Sequence, residues 1–182
     1  IAVTGKPKKV RLNRLHLEDD AGKLTHIADG TLCDYNRSGS PLMEIVSEPD
    51  LMSVTEASLY AEELRRILRY VGSSECDMEK GMMRFDANIS IREKGDKKLG
   101  VKAEIKNLNS FRALEQALTY EIERQKGALE KGEKITQETR GWDPDKGQTF
   151  SQRSKEEAHD YRYFPEPDLP PISLSPKLIF GW

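Results

Sequence analysis

The stretch Met83-Arg84-Phe85-Asp86-Ala87-Asn88-Ile89-Ser90-Ile91-Arg92 alternates with almost no error. Met83, Phe85, Ala87, Ile89 and Ile91 fall on one side, and Arg84, Asp86, Asn88, Ser90 and Arg92 on the other. Successive side chains of a strand point to opposite faces, so the spacing predicts a half-buried β-strand over 83–92. Its polar face carries two guanidinium groups, a carboxylate, an amide and a hydroxyl. Arg offers a planar fork to phosphate oxygens, and Asp offers a hard oxygen to a divalent cation. A solvated sheet face with no chemistry is the plainer reading of one such strand.

The following segment adds weight to the chemical reading. After the turn-rich Lys94-Gly95-Asp96-Lys97-Lys98, residues 101–106 alternate again, with Val101, Ala103 and Ile105 inward and Lys102, Glu104 and Lys106 outward. Two alternating runs joined by a short glycine-containing loop predict an antiparallel hairpin whose polar faces coincide. That face would gather Arg84, Asp86, Arg92, Lys102, Glu104 and Lys106. Mixed charges of this kind surround metal-bound nucleotides, although cross-strand salt pairs explain part of the set. The pairing register stays open at this point.

Outward from the hairpin the pattern is α+β. Residues 8–18 read as a strand with a break between Val10/Leu12 and Leu15/Leu17, its second half turning Arg14, His16 and Glu18 to one side. Short strands are predicted at 24–27, 31–34 and 42–47, the last carrying Glu44. Ser53-Val54-Thr55-Glu56 has the form of a capping box. Ala57, Tyr60, Ala61, Leu64, Ile67, Leu68 and Val71 then recur at helical spacing until Gly72. A second helix begins near Asn109 or Ser110, with Phe111, Leu114, Leu118, Ile122 and Leu129 as its apolar stripe. Gly127 leaves its last turn uncertain. Strands at 135–140 and 148–153 precede an irregular end.

The 182 residues suffice for a real core. Lys and Arg total 29 against 31 Asp and Glu, a formal net charge of -2, so a polyanion would have to be held by local patches. Cys33 and Cys76 lie far apart in no metal-binding spacing, which argues against a disulfide framework and for a cytoplasmic setting. No apolar run suggests a membrane span or a signal sequence. The opening Ile1 reads as the start of a piece of something longer. There is no GxxxxGK[ST] or GxGxxG loop, so a nucleotide would be held by a sheet face and its loops. None of His16, His26 and His159 stands beside a Ser or Cys in a nucleophile motif.

Seven segments together resemble the B-subunit family of the aspartyl/glutamyl-tRNA amidotransferases, with its archaeal glutamate-specific relative. They begin with His16-Leu-Glu18-Asp-Asp-Ala-Gly-Lys23, Asp34 through Asp50 and Leu64-Arg-Arg-Ile-Leu-Arg-Tyr70. The others are Met83 through Ser90, Glu104-Ile-Lys-Asn-Leu-Asn-Ser-Phe111, Gln137-Glu-Thr-Arg-Gly-Trp142 and Glu156 through Pro171. They run in family order over nearly the whole chain. The resemblance implies a central fragment of the catalytic cradle, a kinase-like domain over 1–171 that is similar in fold to glutamine synthetase and the guanido kinases. It implies an antiparallel sheet with flanking helices whose concave face binds ATP and Mg2+. The implied reaction is phosphorylation of the side-chain carboxylate of glutamate or aspartate misacylated onto tRNA. Ammonia from the glutaminase A subunit then displaces the phosphate, as in a glutamine-hydrolysing carbon–nitrogen ligase. A C subunit, or an archaeal asparaginase-like partner, would complete the assembly.

Carried over residue by residue, Glu18, Asp86 and Glu104 are the first candidates for metal-facing carboxylates, with Glu44 the fourth. Arg84 and Lys106 are candidates for holding nucleotide, and these two together with Arg153 for offsetting charge on the transferring phosphoryl group. Those basic residues rest on chemistry more than on a motif. His159, Arg162 and Tyr163 sit in a distinctive segment without an assignable role. Residues 1–15 do not match the family's opening strand, which carries a Glu and a His that help hold the metal. Residues 172–182 leave the family pattern. A non-catalytic tRNA-binding module is the competing class. Asp86 and Glu104 argue against it, because a phosphate-binding surface has no use for acids unless a cation bridges them.

Overall fold

Helix α1 (Val54–Tyr70) starts where its sequence prescribes. Ser53 is extended and its hydroxyl accepts the Glu56 N–H at 3.2 Å, satisfying one of the free donors of the first turn. Glu56 reaches back one residue further than a capping box requires. It accepts the Met52 N–H at 2.6 Å and pairs with Lys8, which ties the start of the chain to the helix. Helix α2 (Phe111–Glu130) is capped by Ser110, which accepts from the Ala113 N–H at 3.0 Å, and it runs through Gly127 to Glu130.

The computed structural model describes residues 1–154 and Ser175, with only the backbone of Arg153 and Ser154. The reading of 172–182 as a divergent end, and the segment holding His159, Arg162 and Tyr163, lie outside the described residues. A small ribbon of β1 (Ala2–Val3) and β2 (Lys6–Pro7) comes first. Strand β3 (Leu12–Asp19) pairs with β6 (Pro41–Ser47), and β4 (Lys23–Ile27) pairs with β5 (Gly30–Asp34). The larger sheet has the order β10-β9-β8-β7, from β7 (Phe85–Ile89), β8 (Ala103–Leu108), β9 (Glu138–Asp143) and β10 (Gln148–Ser154). The molecule is thus mixed α and β, with sheets that are antiparallel apart from one pair. β8 and β9 run parallel, because α2 crosses between them and returns the chain in the same direction.

Alternation over 83–89 holds residue by residue, half-buried or buried at odd positions and exposed at even ones. Ile89 and Ile105 are buried under α2 together with Leu108, Leu114, Ala117 and Leu118. Phe85 packs against this core, with its ring centroid 5.7 Å from that of Phe111. The hairpin is shorter than the sequence pattern implied. The chain leaves the sheet after Ile89, and Arg92 donates to the Lys97 carbonyl within its own loop. A Cβ on Gly100 would sit 2.1 Å from the Ile91 carbonyl oxygen, so only glycine fits where the two ends of that loop cross. β8 begins at Ala103, leaving Lys102 ahead of it and Val101 48% exposed. Arg92 and Lys102 therefore do not share the strand face.

The β3–β6 ribbon departs further from the pattern. Leu15 and Leu17 lie on the side away from His16 and Glu18 as alternation requires, yet they are 54% and 72% exposed. Among the described residues, no helix is long and apolar enough to cross a membrane.

Candidate functional site

The register of the hairpin builds the first half of the site. Asn88 faces Glu104 and Ala87 faces Ile105, but Phe85 faces Leu108, so β8 carries one extra residue there. Asn107 takes up the irregularity with φ +61°, a conformation that Asn tolerates better than most residues, and its N–H donates to Asp86 Oδ1 at 2.9 Å. This bulge re-aims Lys106, whose Nζ lies 4.0 Å from Asp86 and 3.7 Å from Glu104. The Thr139 hydroxyl donates to Glu104 Oε2 at 3.4 Å from the neighbouring strand. Asp86, Lys106 and Glu104 thus form one charged row on the face opposite the core. Arg84, just ahead of β7, is exposed and makes no ion pair among the described residues.

The second half lies on the β3–β6 ribbon. His16 stands opposite Glu44, and Glu18 opposite Leu42. Ligand atoms of His16, Glu18 and Glu44 lie within 4.8 Å of one another, and all three side chains are half-buried. Arg14 Nη2 sits 3.2 Å from Glu44, offsetting part of that negative charge. Two carboxylates at this spacing fit a hard divalent cation that takes one or two protein oxygens and keeps waters and phosphate oxygens. The imidazole of His16 adds a softer donor, better suited to manganese or zinc than to magnesium. Sequence reasoning placed His16 on the right face but did not count it as a ligand. Its i, i+2 relation to Glu18 on a strand was the available signal.

A cleft of about 220 Å3 lies between the ribbon and the sheet, lined by Asp20, Arg37 and Leu42 from the ribbon side and by Met83, Arg84 and Asn107 from the sheet side. Leu42 is the register partner of Glu18, and Asn107 directly follows Lys106, so residues next to both charged groups border one opening. Asp20 and Arg37 pair at 2.8 Å across its rim. The four carboxylates therefore fall into two sets, Glu18 with Glu44 and Asp86 with Glu104. Arg153 lies on β10, where its backbone pairs with Thr139 past an irregularity in the strand.

Sequence reasoning missed a buried polar cluster under the sheet. Glu121 of α2 is fully buried and binds Arg124 at 2.6 Å, Gln125 at 2.9 Å and the Thr149 hydroxyl at 2.9 Å. Arg140 of β9 lies 3.3 Å from it, donates to Thr149 and pairs with Glu138. Burial pushes the Glu121 carboxyl up, but these donors outweigh it and hold the group below the ordinary glutamate value of 4.5. The spacing 114, 118, 121, 125 places Glu121 and Gln125 on the buried stripe, where polar residues are easily read past.

Residues 1–180 match the family described as the GatB/GatE catalytic domain. The chain is 55% identical over 98% of its length to the B subunit of the aspartyl/glutamyl-tRNA(Asn/Gln) amidotransferase of Persephonella marina, covering 38% of that protein. It is 56% identical over 96% of its length to the protein of the same name from Carboxydothermus hydrogenoformans, covering 37% of it. With the corresponding protein of Herpetosiphon aurantiacus the identity is 60% over 94% of the chain and 36% of the relative. The chain spans a little over a third of the length of these curated relatives.

Proposed function

Because the chain belongs to the GatB/GatE catalytic-domain family, we propose that it carries the carboxylate-activating step of a tRNA-dependent amidotransferase. ATP would phosphorylate the side-chain carboxylate of glutamate or aspartate misacylated onto tRNA. Ammonia released from glutamine by a partner subunit would then displace the phosphate. The observation that carries this reading is a His16–Glu18–Glu44 cluster and an Asp86–Lys106–Glu104 row whose neighbours Leu42 and Asn107 line one cleft, with Arg84 on its wall.

His16, Glu18 and Glu44 would hold a divalent cation, which supplies positive charge to phosphate oxygens. Arg84 and Lys106 offset the charge that spreads over the transferring phosphoryl group, where positioning and electrostatics do most of the work. Asp86 and Glu104 hold Lys106 in place, and Asp86 is itself fixed by the Asn107 N–H. Arg153 remains a candidate for the same anion, on the edge strand.

The test is the fate of ATP when the intact protein and its partner subunits meet Glu-tRNA with no ammonia donor present. ADP is the expected product, with a phosphorylated carboxylate that hydroxylamine traps. AMP and pyrophosphate would replace the phosphoryl step with adenylation. No ATP cleavage alongside salt-sensitive tRNA binding would leave only the tRNA-binding module.

A further inference from the structure

Asn107 stands out by its backbone. Among the described residues, Thr4, Cys76 and Asn107 are the ones other than glycine with a positive φ. Thr4 lies in the turn between β1 and β2, and Cys76 in the stretch between α1 and β7. Asn107, at φ +61°, is the one inside a strand. A left-handed residue in a bulge is a place that glycine usually fills, because a Cβ there crowds the backbone. Strained backbone of this kind persists where its surroundings hold it, and it gathers at working sites.

Parity explains why β8 carries an extra residue. Ala103 and Ile105 are buried, and Glu104 and Lys106 face the other way. Strict alternation would put Leu108 beside Lys106 on the charged face. The residue inserted opposite Asp86 returns Leu108, 1% exposed, to the core against Phe85. The same insertion shapes the charged face. The Asn107 N–H holds Asp86 Oδ1 at 2.9 Å, and the other oxygen, Oδ2, is the one 4.0 Å from Lys106 Nζ. The Asn107 carboxamide is exposed and makes no hydrogen bond among the described residues. What the site uses of Asn107 is its backbone.

We infer that Asn107 is a positioning residue for the phosphoryl step: its left-handed backbone, and not its carboxamide, sets where Asp86 and Lys106 meet. The inference rests on the proposed step for what Lys106 does, while the placement of Lys106 rests on the geometry of the bulge. Asn107 thus acts through Lys106.

The test uses the intact protein with its partner subunits. Asn107→Gly discards the carboxamide and keeps the left-handed conformation, whereas Asn107→Ala and Asn107→Val resist that conformation increasingly. Amide formation from ATP should stay within about threefold of wild type in Asn107→Gly. It should fall at least about tenfold in Asn107→Ala and further in Asn107→Val, the scale set by small misplacements of a reacting group. In a Lys106→Met background, Asn107→Ala should cost less than about twofold more, because the group it places has gone. A loss caused only by a weakened fold would persist there. Acetylation of lysines, read by mass spectrometry, gives a second readout that needs no turnover. Lys106 should react at the wild-type rate in Asn107→Gly and about threefold faster in Asn107→Ala, since a side chain released from two carboxylates reaches the reagent more often. The exposed Lys102 is the internal standard. This readout is the same whether the wild type forms ADP, AMP or neither, so it separates failure of the inference from failure of the phosphoryl step. Should Asn107→Val not fold, Asn107→Ala decides. Equal behaviour of Asn107→Gly and Asn107→Ala in either readout would overturn the assignment.

Discussion

The four-stranded sheet and the β3–β6 ribbon each present a charged face, and they differ in what lies behind it. Behind Asp86, Lys106 and Glu104 stand Ile89, Ile105 and Leu108, sealed by α2. Behind His16, Glu18 and Glu44 stand Leu15 and Leu17, more than half exposed. The first face is fixed by a packed core, so its side chains are pre-positioned. The second owes its geometry to strand pairing and ion pairs. Identical period-two patterns thus describe one anchored surface and one open on its far side.

Removing charge from each face without changing shape should have the largest effect. In the intact protein with its partners, Asp86→Asn, Glu104→Gln, Glu18→Gln and Glu44→Gln should each lower ATP-dependent amide formation at least about a hundredfold, or about 2.7 kcal/mol. Glutamine hydrolysis measured by itself should fall much less. Wild-type turnover in the Asp86 and Glu104 variants with loss in the other two would remove the sheet acids, and their hold on Lys106, from the reaction.

Packing should separate the regions next. Ile105→Ala is expected to cost about 2–5 kcal/mol through lost burial and the cavity left behind, whereas Leu17→Ala should change stability by less than about 0.5 kcal/mol. Urea unfolding of the intact protein reads both. Equal costs would mean that Leu17 is covered in the working assembly.

A smaller effect comes from the cluster that joins α2 to β9 and β10. Because the folded state holds Glu121 below its ordinary value, its ionised form contributes stability above 4.5 that is lost as pH falls through the folded pKa. Glu121→Gln should therefore cost about 2 kcal/mol at neutral pH and flatten the acid side of the stability curve. A variant as pH-sensitive as wild type would remove Glu121 from that account.

The least effect belongs to the ribbon's own clasp. Arg11 grips Asp50 through three donors at 2.7–3.0 Å and lowers its carboxyl to about 2. The contribution is present above the ordinary 3.8 and is lost as pH falls through about 2. Carbon-detected titration should find Asp50 still ionised well below pH 3.8, and Arg11→Met, which keeps the backbone N–H, should raise its pKa part of the way back.

Both helices were legible because caps and stops are local, and Ser53, Ser110 and Gly72 stand where the chain turns. The alternation of 83–89 was legible for the same reason. Register was not, since period two names a face but not a partner, and the irregularity at Asn107 that turns Lys106 toward Asp86 leaves no mark in hydrophobicity. The ribbon's exposed leucines show the converse: a sequence marks an apolar side without saying what covers it. Glu121 was hidden because Arg140 and Thr149, which join Arg124 and Gln125 around it, come from strands about 20–30 residues away. Glu18 and Glu44 were reached through the family resemblance, and the two-set arrangement of the acids only through the fold.

The parallel pairing of β8 with β9 also sets a schedule for chain synthesis. β7 and β8 can zip as soon as they emerge, but β8 keeps an open, apolar edge until α2 has folded back and residues 138–143 have left the ribosome. A nascent chain stalled before Glu138 is therefore predicted to expose Ile105 to chaperones, and proteolysis of stalled chains should show protection of β8 arriving in one step when β9 is released.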